Sequence, residues 1–263
     1  MASRITLLTD YGYRDGFAGA MKGVILSRAA AATIVDLSHE VPAGDVRHAA
    51  CVIGAVAGFY PAGTIHVVVV DPTVGTARRG IAIVCNDQIF IGPDNGVFTE
   101  VLAGSLSPVA VTELDNAAFH WQPVHSTFHG RDVFASCAGY VAAGVPVGAM
   151  GTPLDPASLV RLPEPLVDLA AGSARGEILT SDHFGNLLCS LRTEHLAALG
   201  TSVKVTVGGT VINGLSQAFA DVPAGQALAY LGGSGRLEIA VNQGSAVETL
   251  GLVPGTEVRV ERA

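Results

Sequence analysis

The run Ile65-His66-Val67-Val68-Val69-Val70 leaves a folded chain few options. β-Branched residues occupy both of its faces, the pattern of a central strand buried on two sides. Sheets of that kind are covered by helices on each face, so at least part of the chain is expected to be α/β. The run stops abruptly at Asp71-Pro72-Thr73-Val74-Gly75-Thr76-Ala77-Arg78-Arg79. An acid at the end of such a strand lies at the carboxyl edge of the sheet, where open α/β folds bind ligands. A carboxylate there is expensive without partners, and Arg78 or Arg79 can supply the counter-charge. Adjacent strand residues point to opposite faces, so only one of the two can enter a pocket with Asp71. A structural ion pair is the plainer reading of the same residues.

The segments around this strand extend the pattern. Arg4–Thr9 reads as a first strand ending at Asp10-Tyr11-Gly12. A helix follows from about Asp15, with Phe17, Met21, Val24, Ile25 and Arg28 in its periodic pattern. Thr33–Leu37 reads as a strand, and Pro42-Ala43-Gly44-Asp45 as the start of a helix burying Ala49, Val52, Ile53 and Val56. Gly80–Cys85 and Gln88–Ile91 predict a hairpin across Asn86-Asp87. Gly92-Pro93-Asp94-Asn95-Gly96 is a tight loop before a short helix, Val109–Thr112 a strand, and Asp132–Ala143 a helix rich in small residues. This alternation predicts an α/β domain over residues 1–163 with a mainly parallel sheet. Leu162-Pro163-Glu164-Pro165 through Gly172-Ser173-Ala174 reads as a linker. Short alternating segments between Gly208-Gly209, Asn213-Gly214 and Gly232-Gly233 turns then predict a smaller all-β barrel domain over residues 172–263.

Composition narrows the function classes. Hydrophobic residues make up 49% of the 263 and charged residues only 14%, which fits a core-rich protein and not a disordered one. A net charge of −8 argues against nucleic acid as a partner. No stretch approaches the ~18–20 unbroken apolar residues that span a bilayer, so no membrane partner is expected. The segment Met1–Asp10 is too short and too soon polar for a signal peptide. Cys51, Cys85, Cys137 and Cys189 are far apart, lack a CxxC pairing and sit in apolar contexts. They read as reduced core thiols of a cytoplasmic protein.

Several polar constellations invite chemistry, each beside a plainer alternative. Asp10 at a strand end could accept both hydroxyls of a ribose, or could be a turn or cap residue. No GxGxxG follows, which argues against a dinucleotide cofactor and a P-loop. His120, His125 and His129 raise a zinc site, but neither HExxH nor a paired Cys/His pattern occurs, and no metal is expected. Asp182, Phe184 and Asn186, within Ser181-Asp182-His183-Phe184-Gly185-Asn186, could pair with an ammonium group, stack on a flat ring and read its edges. They could equally form an Asp/Asn-stabilised turn with a core Phe. Gly232-Gly233-Ser234-Gly235-Arg236 could cradle a carboxylate through backbone N–H groups, or be only a hairpin turn.

Taken in order, Thr9-Asp10-Tyr11-Gly12, Asp36-Leu37-Ser38-His39, Val70-Asp71-Pro72, Gly92-Pro93-Asp94-Asn95-Gly96, Phe128-His129-Gly130-Arg131-Asp132, Asp182-His183-Phe184-Gly185-Asn186 and Ser234-Gly235-Arg236-Leu237 carry a resemblance over nearly the whole chain. The set resembles the S-adenosyl-L-methionine hydrolases (adenosine-forming), or SAM hydroxide adenosyltransferases, relatives of the fluorinase and chlorinase. The resemblance implies an α/β domain followed by a β-barrel domain, and a homotrimer with substrate between neighbouring subunits. It implies hydrolysis of S-adenosyl-L-methionine to adenosine and L-methionine without a cofactor. By position, Asp71, Arg78 and His129 look like the family's water-activating triad, with Arg78 preferred to Arg79 by its spacing from Asp71. Asp10 would hold the ribose hydroxyls, Phe184 and Asn186 the adenine, Asp182 the methionine ammonium and Ser234 its carboxylate. Thr73, Thr76, Gly130 and Asn242 fall among the implied substrate contacts.

The implied reaction is in-line attack of water or hydroxide on the 5′ carbon, with a neutral thioether leaving. His129 is the expected proton acceptor, because its ordinary pKa is near neutral. Asp71 beside an arginine is the weaker base and the better orienter. Two other activities remain open: a non-catalytic sensor of an adenosine-type ligand, and a halide-using adenosyltransferase.

Overall fold

The five residues of Ile65–Val69 are all buried and lie inside a seven-stranded sheet. The computed structural model describes residues 3–105 and 109–263, so the first two residues of the segment read against a signal peptide lie outside it. The chain divides into two compact units, Met1–Leu162 and Pro163–Ala263. In the first unit the strands are β1 (Arg4–Thr9), β2 (Thr33–Ser38), β3 (Ile65–Val69), β4 (Gly80–Cys85), β5 (Gln88–Pro93), β6 (Ala110–Glu113) and β7 (Pro153–Leu154). Their order across the sheet is β2-β1-β3-β5-β4-β6-β7.

The sheet is mixed, not mainly parallel. β1 pairs in parallel with β2 and β3, and β3 with β5, but β4 runs antiparallel to β5 and β6, and β6 to β7. The reason is local. Asn86 and Asp87, at φ 50° and 57°, make the two-residue turn that can join only antiparallel neighbours. A parallel partner would have needed a crossover of a dozen residues.

Both faces of β3 are covered, as its composition requires. Val67 and Val69 pack with Ile5, Leu7, Met21, Ile25 and Phe134, while Val68 and Val70 pack with Leu8, Ala49, Ile53 and Ile83. Each such buried aliphatic side chain stabilises the fold by roughly 1.5–3 kcal/mol. The first layer is supplied by α1 (Phe17–Arg28), whose Ala18, Met21, Val24 and Ile25 are buried at helical spacing. Phe17, expected on that stripe, is 46% exposed. Arg28 ends the helix stacked over the Trp121 and Tyr140 rings, at 5.2 and 5.0 Å. The second layer is α2 (Val46–Val56), capped where Asp45 accepts from the His48 backbone N–H at 2.8 Å. Ala49 and Ile53 are buried there, with Val52 and Val56 only partly so. Two further helical segments follow, α3 (Thr99–Ala103) and α4 (Ser136–Ala142), the latter preceded by a π-helical turn over Gly130–Ala135.

The second unit holds β8 (Val167–Ala170), β9 (Ser173–Ser181), β10 (Leu187–Arg192), β11 (Val203–Val207), β12 (Thr210–Asn213), β13 (Ala227–Leu231), β14 (Arg236–Val241) and β15 (Glu257–Arg262). They form one antiparallel sheet in the order β12-β11-β15-β9-β10-β14-β13, with β8 added against β9. Just past β12, the Ser216 N–H donates to Ala229 O on β13 at 2.8 Å, so the two ends of the sheet nearly meet in a barrel-like form. Ile178, Leu187, Leu191, Val205, Ile239 and Val260 are among the residues filling it. Two short helices, α5 (Thr193–Leu196) and α6 (Ala246–Leu250), make the unit less than strictly all-β. Within the segment read as a linker, Val167–Ala170 is a strand: β8 and β9 form a hairpin across Ala171-Gly172. All four β8 residues are exposed, so no alternation marked them in the sequence.

All four cysteines are buried and none is in a disulfide. Among the described residues no helix is long and apolar enough to cross a membrane.

Candidate active site

Asp71 leaves the end of β3 just after the buried Val70, and its side chain is only 4% exposed. The loop that follows turns back through Gly75, at φ +80°, where a Cβ would lie 2.5 Å from the Ser126 carbonyl oxygen. Only glycine permits that approach. The contact seats the Asp71–Arg79 loop against the His125–His129 loop, so segments some fifty residues apart in sequence meet.

Arg78 sits at the junction, its side chain 7% exposed. Its Nε donates to Asp71 Oδ1 at 3.2 Å and its Nη2 to Asp71 Oδ2, a forked ion pair. The same Nη2 lies 3.2 Å from His129 Nδ1. The Phe134 ring lies under the guanidinium at 5.3 Å. Arg79 turns away: it donates through Nε to Asp94 Oδ2 at 2.9 Å and through Nη2 to Ser158 O at 2.7 Å. Of the two arginines, Arg78 therefore faces Asp71. Burial, then the Arg78 charge, lowers the His129 pKa below its ordinary value, and Asp71 offsets this only in part.

The contact also fixes the imidazole's roles. An arginine can only donate, so Nδ1 accepts and the neutral ring carries its proton on Nε2. In this arrangement His129 has no lone pair left for a water proton. That differs from the role expected of it, and the reason is that sequence does not show which ring nitrogen a neighbour occupies.

The other expected residues of the first unit lie near by or serve the loops. Asp10 Oδ2 accepts from the Gly44 N–H at 2.9 Å, which ties the end of β1 to the turn before α2. Thr73 Oγ1 donates to Asp71 Oδ1 at 3.3 Å. The exposed Thr76 donates to Thr73 O at 2.8 Å and accepts from the Arg78 N–H, so it shapes the loop. Gly130 is buried beside His129, with the Tyr11 hydroxyl against it. Asp132, fully buried, accepts from the His125 N–H and from Arg131, and so anchors the His129 loop. Tyr11, quoted in a motif but given no role, lines an open cavity of about 450 Å³ with Phe17, His125, Thr127, Phe128 and Arg131. Asp71, Arg78 and His129 do not line it. Nothing in residue spacing marks Tyr11, because its place follows from tertiary packing.

The three histidines considered together have separate partners. His120 Nε2 lies 3.0 Å from Leu114 O, His125 Nδ1 lies 2.9 Å from Thr127 Oγ1, and His129 faces Arg78. Among the described residues no group of three or more His, Cys, Asp or Glu is disposed to hold a metal.

In the second unit, Asp182 forms the turn that its plainer reading described. Oδ1 accepts from the Phe184 and Asn186 N–H groups at 2.9 and 2.8 Å, and Oδ2 from Asn186 Nδ2 at 2.8 Å. Phe184 is not a core residue: it is 73% exposed, at the tip of that turn. Ser234 Oγ lies 3.4 Å from Glu238 Oε1, and Tyr230 donates to Glu238 Oε2 at 2.5 Å. Burial, Glu238 and Asp182 all raise the Tyr230 pKa, which places both carboxylates near its hydroxyl. Asn242 stands apart, its Nδ2 donating to Val222 O at 2.7 Å as a loop tie. Glu238 and Tyr230 were not singled out in the sequence, where they read as an ordinary strand position and an ordinary barrel aromatic.

Residues 5–151 match the family model of the SAM hydroxide adenosyltransferase N-terminal domain, and residues 176–259 that of the C-terminal domain. The chain is similar to an (R)-S-adenosyl-L-methionine hydrolase of Salinispora tropica, 40% identical over 256 residues and 97% of each chain. It is 39% identical to an (R)-S-adenosyl-L-methionine hydrolase of Thermus thermophilus, over 97% of this chain and 98% of that one. Its fold is similar to the crystal structure of an uncharacterized conserved protein from Thermotoga maritima. The TM-score is 0.90 at 33% identity, covering 98% of this chain and 100% of the other.

Proposed function

This chain belongs to the SAM hydroxide adenosyltransferase family, and from that premise we infer that it hydrolyses S-adenosyl-L-methionine to adenosine and L-methionine. Water attacks the 5′ carbon in line with the departing sulfur. The observation that carries the active-site reading is one buried guanidinium that touches both the Asp71 carboxylate and the His129 ring.

The substrate's sulfonium leaves as a neutral thioether, so the bond to be broken is already weak. Attacking water becomes strongly acidic as its oxygen bonds to carbon, and even a weak base can take its proton late. The enzyme's chief task is therefore to place the water. Asp71 Oδ1 accepts from Arg78 Nε and Thr73 Oγ1, while Oδ2, among the described residues, accepts from Arg78 alone. A carboxylate oxygen has two lone pairs, so Oδ2 keeps one for the water. We assign the proton to Asp71, the fixing of that carboxylate to Arg78, and the bracing of Arg78 to His129, whose Nε2–H remains available to the nucleophile. Exclusion of bulk water strengthens each of these contacts.

The remaining assignments belong to the same reading. Asp10 holds the ribose hydroxyls, with Thr73, Thr76 and Gly130 around the reacting end. Phe184 stacks on the adenine, which suits an aromatic ring left 73% exposed. Asn186, in the same turn, reads the ring's edge and Asp182 meets the ammonium group, while Asn242, tied to Val222 O, is assigned to the substrate on the family resemblance alone. Ser234, beside a carboxylate already, suits the methionine carboxylate poorly, and its backbone is the better donor there. We further propose a homotrimer with substrate between neighbouring subunits, working in the cytoplasm without a cofactor.

The test is direct. Purified protein is incubated with S-adenosyl-L-methionine, with and without fluoride, chloride or EDTA, and the nucleosides are separated by chromatography. Adenosine in every arm supports the reading. A 5′-halo nucleoside would make it a halide-using transferase, EDTA-sensitive activity would make it a metallohydrolase, and no product would leave only a binding role.

A further inference from the structure

Tyr11 follows Asp10 in the Thr9-Asp10-Tyr11-Gly12 motif and has no assigned role, yet its side chain is closely held. The ring packs edge-on against Phe17 and Phe128, each with centroids 6.0 Å away, and those two pack on each other at 5.4 Å. The backbone N–H donates to Thr9 Oγ1 at 3.2 Å, so neither the main chain nor the ring is free to swing. The hydroxyl is thereby pressed against Gly130, the residue after His129. A Cβ on Gly130 would lie 2.2 Å from that oxygen, 3.1 Å from Cζ and 3.3 Å from Cε2. The missing Cβ is what lets the oxygen stand there.

The oxygen has no hydrogen-bond partner among the described residues. Its donor and acceptor sites are therefore uncommitted within the protein, and the side chain borders the open cavity described above. It also lies within electrostatic reach of the site. Burial first, then Asp10 and Asp71, raise the phenol's pKa, while Arg78 pulls the other way, so the group stays protonated.

We propose that Tyr11 is a nucleophile-orienting residue whose hydroxyl oxygen accepts one hydrogen of the attacking water. The inference rests on the hydrolase reading above. Water has two hydrogens and two lone pairs. With one hydrogen given to Asp71 Oδ2 and the other to Tyr11, its rotation is stopped and a lone pair can be aimed at the 5′ carbon. The oxygen–carbon bond forms, the carbon–sulfur bond breaks with its electron pair kept on the thioether, and the departing proton goes to Asp71. Tyr11 begins and ends the step as a phenol.

Tyr11→Phe removes one atom and keeps the packed ring. The expected result is a fall in kcat of about tenfold or more, with KM for S-adenosyl-L-methionine within about threefold of the parent and an unchanged melting temperature. Gly130→Ala should lower kcat in the Tyr11 background, because its methyl displaces the hydroxyl. In the Tyr11→Phe background the loss should be smaller, limited to what the methyl costs through Gly130's own place at the reacting end and the ring carbons at 3.1 and 3.3 Å. A Tyr11→Phe enzyme with kcat within about twofold of the parent overturns the proposal, as does an equal Gly130→Ala effect in both backgrounds. Failure of the parent protein to release adenosine would instead strike at the hydrolase reading. Turnover by the parent, arrested by Asp71→Asn and untouched by Tyr11→Phe, would strike at Tyr11 alone.

Discussion

Replacing Asp71 by Asn separates what the ion pair does for stability from what it does for chemistry. Asp71 and Arg78 are 4% and 7% exposed, so solvent hardly screens the pair. Asparagine keeps the shape but turns an amide toward guanidinium N–H groups, leaving a buried charge unpaired. Breaking a buried pair in this way costs about 3–5 kcal/mol. At roughly 2–4 °C per kcal/mol for a chain of this size, the melting temperature should fall by about 6–20 °C. Turnover should fall by about 10²–10⁴, because an amide is too weak a base to take the water proton. Adding Arg78→Met removes the stranded charge, so the double variant should regain most of the lost stability and none of the turnover. Calorimetry and nucleoside chromatography on the parent, single and double variants give both readouts. Turnover restored in the double variant, or a single variant that melts with the parent, would refute the reasoning.

Three other outcomes follow from described geometry. The kcat/KM of the parent should stay level as pH falls to 6.5 and decline only below it, since the neutral His129 required at Arg78 has its pKa lowered from that value. In His129→Asn, whose amide oxygen can still accept from Arg78, that acid limb should vanish, and its persistence would count against the assignment. Phe184→Ala should raise KM by roughly ten- to a hundredfold, the worth of a stacked base, with no change in melting temperature because the ring is exposed. The fully buried His66 has its pKa pushed down to about 4 by burial. The folded state thus refuses a proton that the unfolded chain takes up below 6.5, so full stability is present above pH 6.5. It is lost between there and about 4, to the extent of about 3 kcal/mol. Urea titrations should show this slope in the parent and lose it in His66→Phe.

What the sequence disclosed, and what it hid, divides along the range of the interactions. The two-faced burial of Ile65–Val70, the Asn86-Asp87 turn and the Asp45 cap depend on a few adjacent residues, and each was legible. Strand direction was not: Gly80–Cys85 alternates in the same way whichever neighbour it joins, so the mixed sheet came to light only in the pairing. β8 was hidden because an exposed edge hairpin held by the Asp168–Arg175 pair looks like any polar connection. In the candidate site, the approach of Asp71, Arg78 and His129 could be anticipated from motif order. The tautomer of His129, the withdrawal of Ser234 toward Glu238 and the seating of Tyr11 on Gly130 could not. Each depends on a contact between residues remote in sequence, where composition carries no trace of the partner.

The divergence of Arg78 and Arg79 also limits how this loop can be redesigned. The Asp94 N–H donates to Arg79 O at 2.9 Å, so the β4–β5 ladder already extends to Arg79 and sets the facing of the residue before it. Deleting or inserting one residue between Gly75 and Arg78 would shift the loop's span without disturbing that ladder, and the guanidinium would keep its aim. Deleting Arg79 would instead put Arg78 in its place beside Asp94 and leave Asp71 bare, and an insertion between Arg79 and Gly80 would send Arg79 inward and leave Asp94 bare. Loop exchange among relatives should therefore splice upstream of Arg78, where length is negotiable and handedness is not at stake.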